Sequence, residues 1–197
     1  MALILNEAYT NNIQPCPNVW VNTTCANLAT YGSKKRGAFY EDILTMILKE
    51  QGYDVINAES STAPYDRIII SFNSKVCRIK VEIKVALSAT DYKNRCVDNY
   101  NCIFNHIALG KEFDIIMFMC IIKKDGVAMY ELRWCTREEL TGHIKSEDSL
   151  FCKQQGGKKA NNDDYMCGGK TKTKELLSNQ LFKKLDLLEL YIRDDKL

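Results

Sequence analysis

Val76-Cys77-Arg78-Ile79-Lys80-Val81-Glu82-Ile83-Lys84-Val85 alternates apolar and charged residues without a break, and its reading sets the fold. Successive side chains of a strand point to opposite faces. Cys77, Ile79, Val81, Ile83 and Val85 then share one apolar face, while Arg78, Lys80, Glu82 and Lys84 share the other. The pattern predicts a strand over Val76 to Ala86, with core on one side and charge on the other.

Working outward, Asp66 to Phe72 predicts a second strand, joined to the first by a hairpin around Asn73 and Ser74. Tyr53 to Ile56 predicts a third, beyond a turn rich in Ser, Thr and Pro. Ahead of it, Tyr40, Ile43, Leu44, Ile47 and Leu48 recur at intervals of three and four, the apolar stripe of a helix from Gly37 to Gln51 that stops at Gly52. Residues 1–35, with Pro15, Pro17 and scattered Asn and Thr, read as an irregular arm.

Downstream, Val97 to Leu109 reads as a helix ending at Gly110. Asp114 to Ile122 is an apolar run of the kind buried on both faces of a central strand. Met129 to Trp134 reads as its neighbour, followed by a short helix from Thr136 to Leu140. Residues 153–174 form a loop or a hairpin around Asp164 to Cys167. A final helix from Lys174 to Tyr191 would place Leu177, Leu181, Leu185, Leu188 and Tyr191 on one stripe beside Leu176 and Phe182, for core packing or for dimer contact. The expected fold class is α/β, a mixed central sheet flanked by helices, in one domain of 197 residues.

Composition narrows the function classes. Hydrophobic residues make up 46% and charged residues 26%, the balance of a globular chain. The longest apolar run, Ile115 to Ile122, is far short of the roughly twenty residues a bilayer span needs, which predicts no membrane partner and a cytoplasmic location, or a host's cytoplasm. Nine cysteines without a Cys-x-x-Cys pair predict reduced, mostly buried thiols. Nothing marks one of them as an activated nucleophile, and His106 and His143, lacking partners at ligand spacing, read as structural histidines. The net charge of +2 is too small to indicate nucleic acid by itself, so the local distribution of charge has to decide.

The charged strand face carries the chemistry. Glu82 and Lys84, two apart, project together, and Asp66 at the start of the neighbouring strand brings a second carboxylate beside them. Two carboxylates with a substrate phosphate oxygen suffice for Mg²⁺, which keeps several waters. An adjacent ammonium can hold the attacking water and stabilise charge growing on the phosphate.

These residues resemble the PD-(D/E)xK nuclease superfamily, whose signature is an Asp at the start of one strand and Glu-x-Lys on the next. The match is Asp66 followed by Glu82-Ile83-Lys84. The proline that normally precedes the Asp is here Pro64, with Tyr65 between. Glu41, in Gly37-Ala38-Phe39-Tyr40-Glu41, occupies the place of the family's helix glutamate, which supports the metal. The resemblance implies a restriction-endonuclease-like core over residues 37–135, with Asp66, Glu82 and Glu41 as ligands of Mg²⁺, or Mn²⁺ in its place, and Lys84 as the group that positions water.

Phe104-Asn105-His106-Ile107 ahead of Phe113-Asp114-Ile115-Ile116 is similar to a segment of small type II restriction enzymes and related virus-encoded endonucleases, which usually have Gln where this chain has His106. The Gln154-Gln155-Gly156-Gly157 segment, running on to Asp164, is similar to a late segment of the same enzymes. It joins close-approach glycines to amides that can pair with adenine and to lysines that can meet phosphate or guanine. Six lysines face two aspartates between Lys153 and Lys174. Expected DNA contacts are Gln154, Gln155, Lys158, Lys159, Asn161 and Asn162 within a region at 145–172, and the basic cluster Lys34, Lys35 and Arg36; residues 173–197 form the C-terminal helix. The function implied is Mg²⁺-dependent, sequence-specific cleavage of double-stranded DNA by a homodimer. A resolvase-like, structure-specific nuclease and an inactive DNA-binding module on the same scaffold are the alternatives.

Overall fold

The structure, a computed structural model, describes residues 3–4, 33–72, 76–88, 100–124, 127–154 and 164–193. In chain order its elements are β1 (Leu3–Ile4), α1 (Ser33–Glu50), β2 (Asp54–Asn57), β3 (Arg67–Phe72), β4 (Val76–Leu87), β5 (Ile103–Ala108), β6 (Ile115–Lys124), β7 (Val127–Thr136), α2 (Arg137–Lys145), β8 (Cys152–Lys153), β9 (Asp164–Gly168), α3 (Lys170–Ser178), a 3₁₀ turn (Leu185–Leu187) and α4 (Leu188–Arg193). The class is mixed α/β, as the alternation of patterns predicts.

Six strands form the main sheet in the order β1-β7-β6-β4-β3-β2. All its pairings are antiparallel except β4 with β6, so the sheet is mixed. Helix α1 covers one face with Tyr40, Ile43, Leu44, Ile47 and Leu48, which pack on Ile79, Val81 and Ile83 of β4 and on the odd-numbered residues Ile115 to Ile121 of β6. The helix ends where Gly52 turns to φ 90°: Gly52 N–H reaches Lys49 O and Tyr53 N–H reaches Leu48 O, the paired bonds of a Schellman stop. On the opposite face Ile116, Phe118, Cys120 and Ile122 meet a second core from β5, α2 and α3. Strand β6 is therefore buried on both sides, which is why its sequence shows no alternation.

The predicted helix over Val97 to Leu109 is instead β5, paired antiparallel with β9 in a second, three-stranded sheet of order β5-β9-β8. Residues 97–99 of that prediction lie outside the described residues. The pairing shifts between Phe104 and Ile107, where His106 adopts φ 55°. Both Phe104 and Ile107 are buried. A bulge inserted into a strand thus produces a spacing of three that imitates a helix.

The predicted helix from Lys174 to Tyr191 is broken as well. Its leucines do not form one stripe: Leu176, Leu177 and Phe182 enter the core beside Phe118, whereas Leu188 enters the core beneath α1, with Leu185 and Tyr191 packed against it. Between them Asn179 accepts the Leu181 N–H on its side chain and the Phe182 N–H on its carbonyl, an Asx-type turn. Lys183 then exchanges both backbone bonds with Trp134, whose indole N–H donates to Lys184 O. Strand β1 pairs with β7 at Met129 and Tyr130, and Lys183 pairs with the backbone of β7 farther along, at Trp134.

The remaining boundaries move less. Helix α1 begins at Ser33, inside the predicted irregular arm, and Leu3–Ile4 of that arm pairs with β7. Helix α2 runs to Lys145 behind a capping box in which Thr136 and Glu139 satisfy each other's backbone N–H groups. Hairpin β8–β9 falls where the Asp164 to Cys167 pattern puts it. The described cysteines are free thiols: Cys102, Cys120, Cys135 and Cys167 are buried and Cys152 is exposed.

Candidate active site

Val81 is the residue at which β4 changes partners. Its pairing with β3 ends at Arg67–Val81, and its pairing with β6 begins at Val81–Ile115. From Glu82 onward β3 no longer supplies acceptors, and the Asp66 carboxylate takes their place: Oδ2 accepts the Ile83 N–H at 2.7 Å, while Asp66 N–H donates to Val81 O at 2.9 Å. On the other edge, before β6 begins, Asp114 does the same for Lys80, accepting its N–H at 2.7 Å and donating to its carbonyl at 2.9 Å. Asp66 is therefore fixed by the fork in the sheet, because a buried N–H left without an acceptor is costly.

Glu82 lies on the sheet face opposite α1, the charged face of the strand, and is 1% exposed there. Two ammoniums neutralise it. Lys84 Nζ lies 2.6 Å from Oε1, and Lys111 Nζ lies 2.7 Å from Oε1 and 2.9 Å from Oε2. Lys84 reaches it by strand alternation, as predicted. Lys111 was not among the sequence candidates. It stands in the turn between β5 and β6, and no motif spacing links it to Glu82; only the path of β5 brings it there.

Glu41 comes from the exposed side of α1 and approaches Asp66. Burial is the larger cause that raises its pKa, followed by repulsion from Asp66. Burial also raises the Asp66 pKa, with Glu82 repulsion next and the Ile83 bond opposing both. Arg67, 7% exposed, fixes Glu41 in place: its guanidinium reaches Glu41 Oε2 at 3.1 Å, Asp42 Oδ1 at 2.8 Å, Thr45 Oγ1 at 2.9 Å and Asp66 O at 2.8 Å. Arg67, too, was missed, since a buried arginine beside a motif residue has no sequence signal of its own. Tyr65, which stands where the family signature has proline, is buried in the second core with the Lys80 ammonium 5.4 Å from its ring centre.

Asp66, bonded to the Ile83 N–H, thus stands close enough to Glu82 and to Glu41 to feel their charges, and Lys84 is paired with Glu82. Among the described residues, no three His, Cys, Asp or Glu side chains are grouped to hold a metal ion. A hard divalent cation would find two carboxylates here, and it can complete its shell with water and phosphate. The donor chemistry fits such an ion: the donors are carboxylate oxygens, and the burial and, after it, the carboxylate repulsion that raise the Asp66 and Glu41 pKa values are what a bound cation would offset.

The expected DNA contacts are distributed differently. Lys34, Lys35 and Arg36 sit in the first turn of α1, but their side chains lie outside the described residues, as do Gln155, Lys158, Lys159, Asn161 and Asn162. Gln154 does not simply face solvent. Its Oε1 accepts the His106 N–H at 2.8 Å, its Nε2 lies 3.4 Å from His106 Nε2, and His106 Nδ1 lies 3.5 Å from Asp164 Oδ2. The His106 side chain, although it has these partners, is 69% exposed. His143 is a half-buried structural histidine: Nε2 accepts the Leu150 N–H at 3.2 Å, Phe151 and Phe182 pack on the ring, and burial lowers its pKa. Burial likewise pushes the Cys167 thiol up to about 12, and raises Cys120 and Cys135, against their use as nucleophiles.

No protein-family model matches this sequence, and no curated protein matches it significantly. Among the described residues no helix is long and apolar enough to cross a membrane.

Proposed function

We propose that the protein is a Mg²⁺-dependent DNA endonuclease of the PD-(D/E)xK kind that cuts a specific sequence as a homodimer. The observation that carries the reading is the convergence, at the residue where β4 changes partners, of Asp66, Glu82 and Lys84, with Glu41 beside them. When bound, a divalent ion there would polarise the phosphate and acidify a water. Asp66 and Glu82 would hold it, with Asp66 oriented by the Ile83 N–H and Glu41 by Arg67. Lys84, held by Glu82, would align the attacking water and stabilise charge on the phosphate oxygens. The exposed bulge of His106, held by Gln154, and the lysine-rich segment beyond it are suited to base and phosphate contact. Exposed Leu187 and Leu190, outside both cores, offer an apolar surface for a second copy, which cutting both strands of a palindrome would favour.

One observation favours a second reading: both Glu82 oxygens are already bonded to Lys111, so the cluster is electrostatically closed. That would suit a DNA-binding module without activity. Incubating a defined phage DNA with Mg²⁺, and in parallel with chelator, separates the two. Discrete fragments that need Mg²⁺ support the nuclease; intact DNA under both conditions supports the module; cutting confined to added four-way junctions points to a structure-specific enzyme. Lys84→Ala is expected to lower cleavage by about 10²–10³-fold or more while DNA binding persists. Cutting at the native rate would refute the assignment.

A further inference from the structure

The position of Lys111 is unexplained by the catalytic motif. Its ammonium does not lie alongside Glu82 as an exposed surface partner would; it bridges both carboxylate oxygens, at 2.7 and 2.9 Å. A divalent ion taking Glu82 as a ligand needs those same lone pairs. The two partners of Glu82 also differ in freedom. Lys84 is on the strand itself and its side chain is 15% exposed, whereas Lys111 is in a turn with its side chain 34% exposed and beside Gly110, which is open to solvent. A long, partly exposed lysine can exchange a buried partner for water at little cost.

We propose that Lys111 is a displaceable counter-ion: it occupies the cation position on Glu82 while no metal is bound, and gives up that position to the incoming divalent ion. Lys84 reaches only Oε1 of this carboxylate, which is 1% exposed, so without metal Oε2 depends on Lys111 for a partner. Lys111 meets that need with a charge that can leave. The consequence is a competition, in which metal binds only as tightly as its advantage over the resident ammonium allows. The inference rests on the metal-dependent reading above, and its failure is distinguishable from the failure of that reading.

The test is Mn²⁺ binding, followed by electron paramagnetic resonance of free Mn²⁺, on the full chain and on Lys111→Met and Lys111→Arg. Because Lys111 is partly exposed, its competition with the metal is modest, and its removal should tighten Mn²⁺ binding by about fivefold in Lys111→Met. Lys111→Arg, which keeps the charge, should bind as the native chain does. Equal affinities for native and Met variants overturn the proposal and leave the nuclease reading intact. Absence of binding in both overturns both. A measurement on the native chain guards against a Met variant that fails to fold: ¹⁵N-lysine spectra, with Lys111 assigned from Lys111→Arg. The Lys111 ammonium signal should move to the position of a solvated lysine as Mg²⁺ is added; a signal unmoved at saturating Mg²⁺ overturns the proposal.

Discussion

Replacing Glu82 by Gln keeps the side chain's size and one acceptor oxygen but removes the charge that two ammoniums surround. Breaking one side of a buried ion pair costs about 3–5 kcal/mol, because the remaining charge is left without compensation. Lys84, 15% exposed, belongs near that range. Lys111, 34% exposed, can turn to water, so its share falls towards the roughly 0–1 kcal/mol of a surface pair. Against these stand two gains: Gln is cheaper to bury than a carboxylate, and Asp66 loses a repelling neighbour. The net expectation is a loss of about 2–3 kcal/mol. Urea unfolding in chelator, followed by fluorescence of the buried Trp134, should show a midpoint lower by about 1 M, given a slope of about 2–3 kcal/mol/M. Added Mg²⁺ should raise the native midpoint and leave that of the variant in place. A midpoint unchanged or raised by the substitution would refute the claim that the cluster holds the site together.

Asp66→Asn tests the sign of the carboxylate repulsion. Because the folded pKa of Asp66 is raised by burial and then by Glu82, its contribution to stability is complete below the ordinary carboxylate range and is lost as pH rises through the folded value. The Asn variant, which still offers an oxygen to Ile83 N–H, should therefore melt above the native chain at neutral pH in chelator, with the gap closing in acid; the opposite trend would sink the argument. Phe118→Ala removes a fully buried ring that contacts Phe104, Phe151 and Phe182 at centroid distances of 5.2, 6.0 and 5.8 Å, and should cost about 3–5 kcal/mol in denaturant titration. A loss well under about 1 kcal/mol would mean that the second core is not packed as described. At His106, where φ is 55°, Gly should be more stable than Ala by about 1 kcal/mol, since only Gly takes that conformation freely. Ala matching Gly would show that the bulge does not persist in solution.

Much of the frame was readable because its periods are strong. Tyr40 to Leu48 could bury a stripe only as a helix, Ile79 to Ile83 only as a strand with α1 on one side, and Ile115 to Ile122 only between two layers. The juxtaposition of Glu82 and Lys84 followed from alternation alone, and Asp66 from the short hairpin. The errors came where local pattern was overruled. The β5 bulge made Phe104 and Ile107 look helical, and the demand of the β7 edge for partners at Trp134 stopped a leucine-rich segment from continuing as one helix.

The sequence by itself determined which segments carry an apolar face and which polar groups share a strand, because those depend on neighbours two to four residues away. Tertiary structure alone decided how the charges are compensated. Lys111 reaches Glu82 across 29 residues of chain, and Arg67 ties Glu41 to the start of β3 across 26. Burial makes such partners obligatory, since an ionised group removed from water must find an opposite charge, yet it does not specify from where in the chain that charge will come.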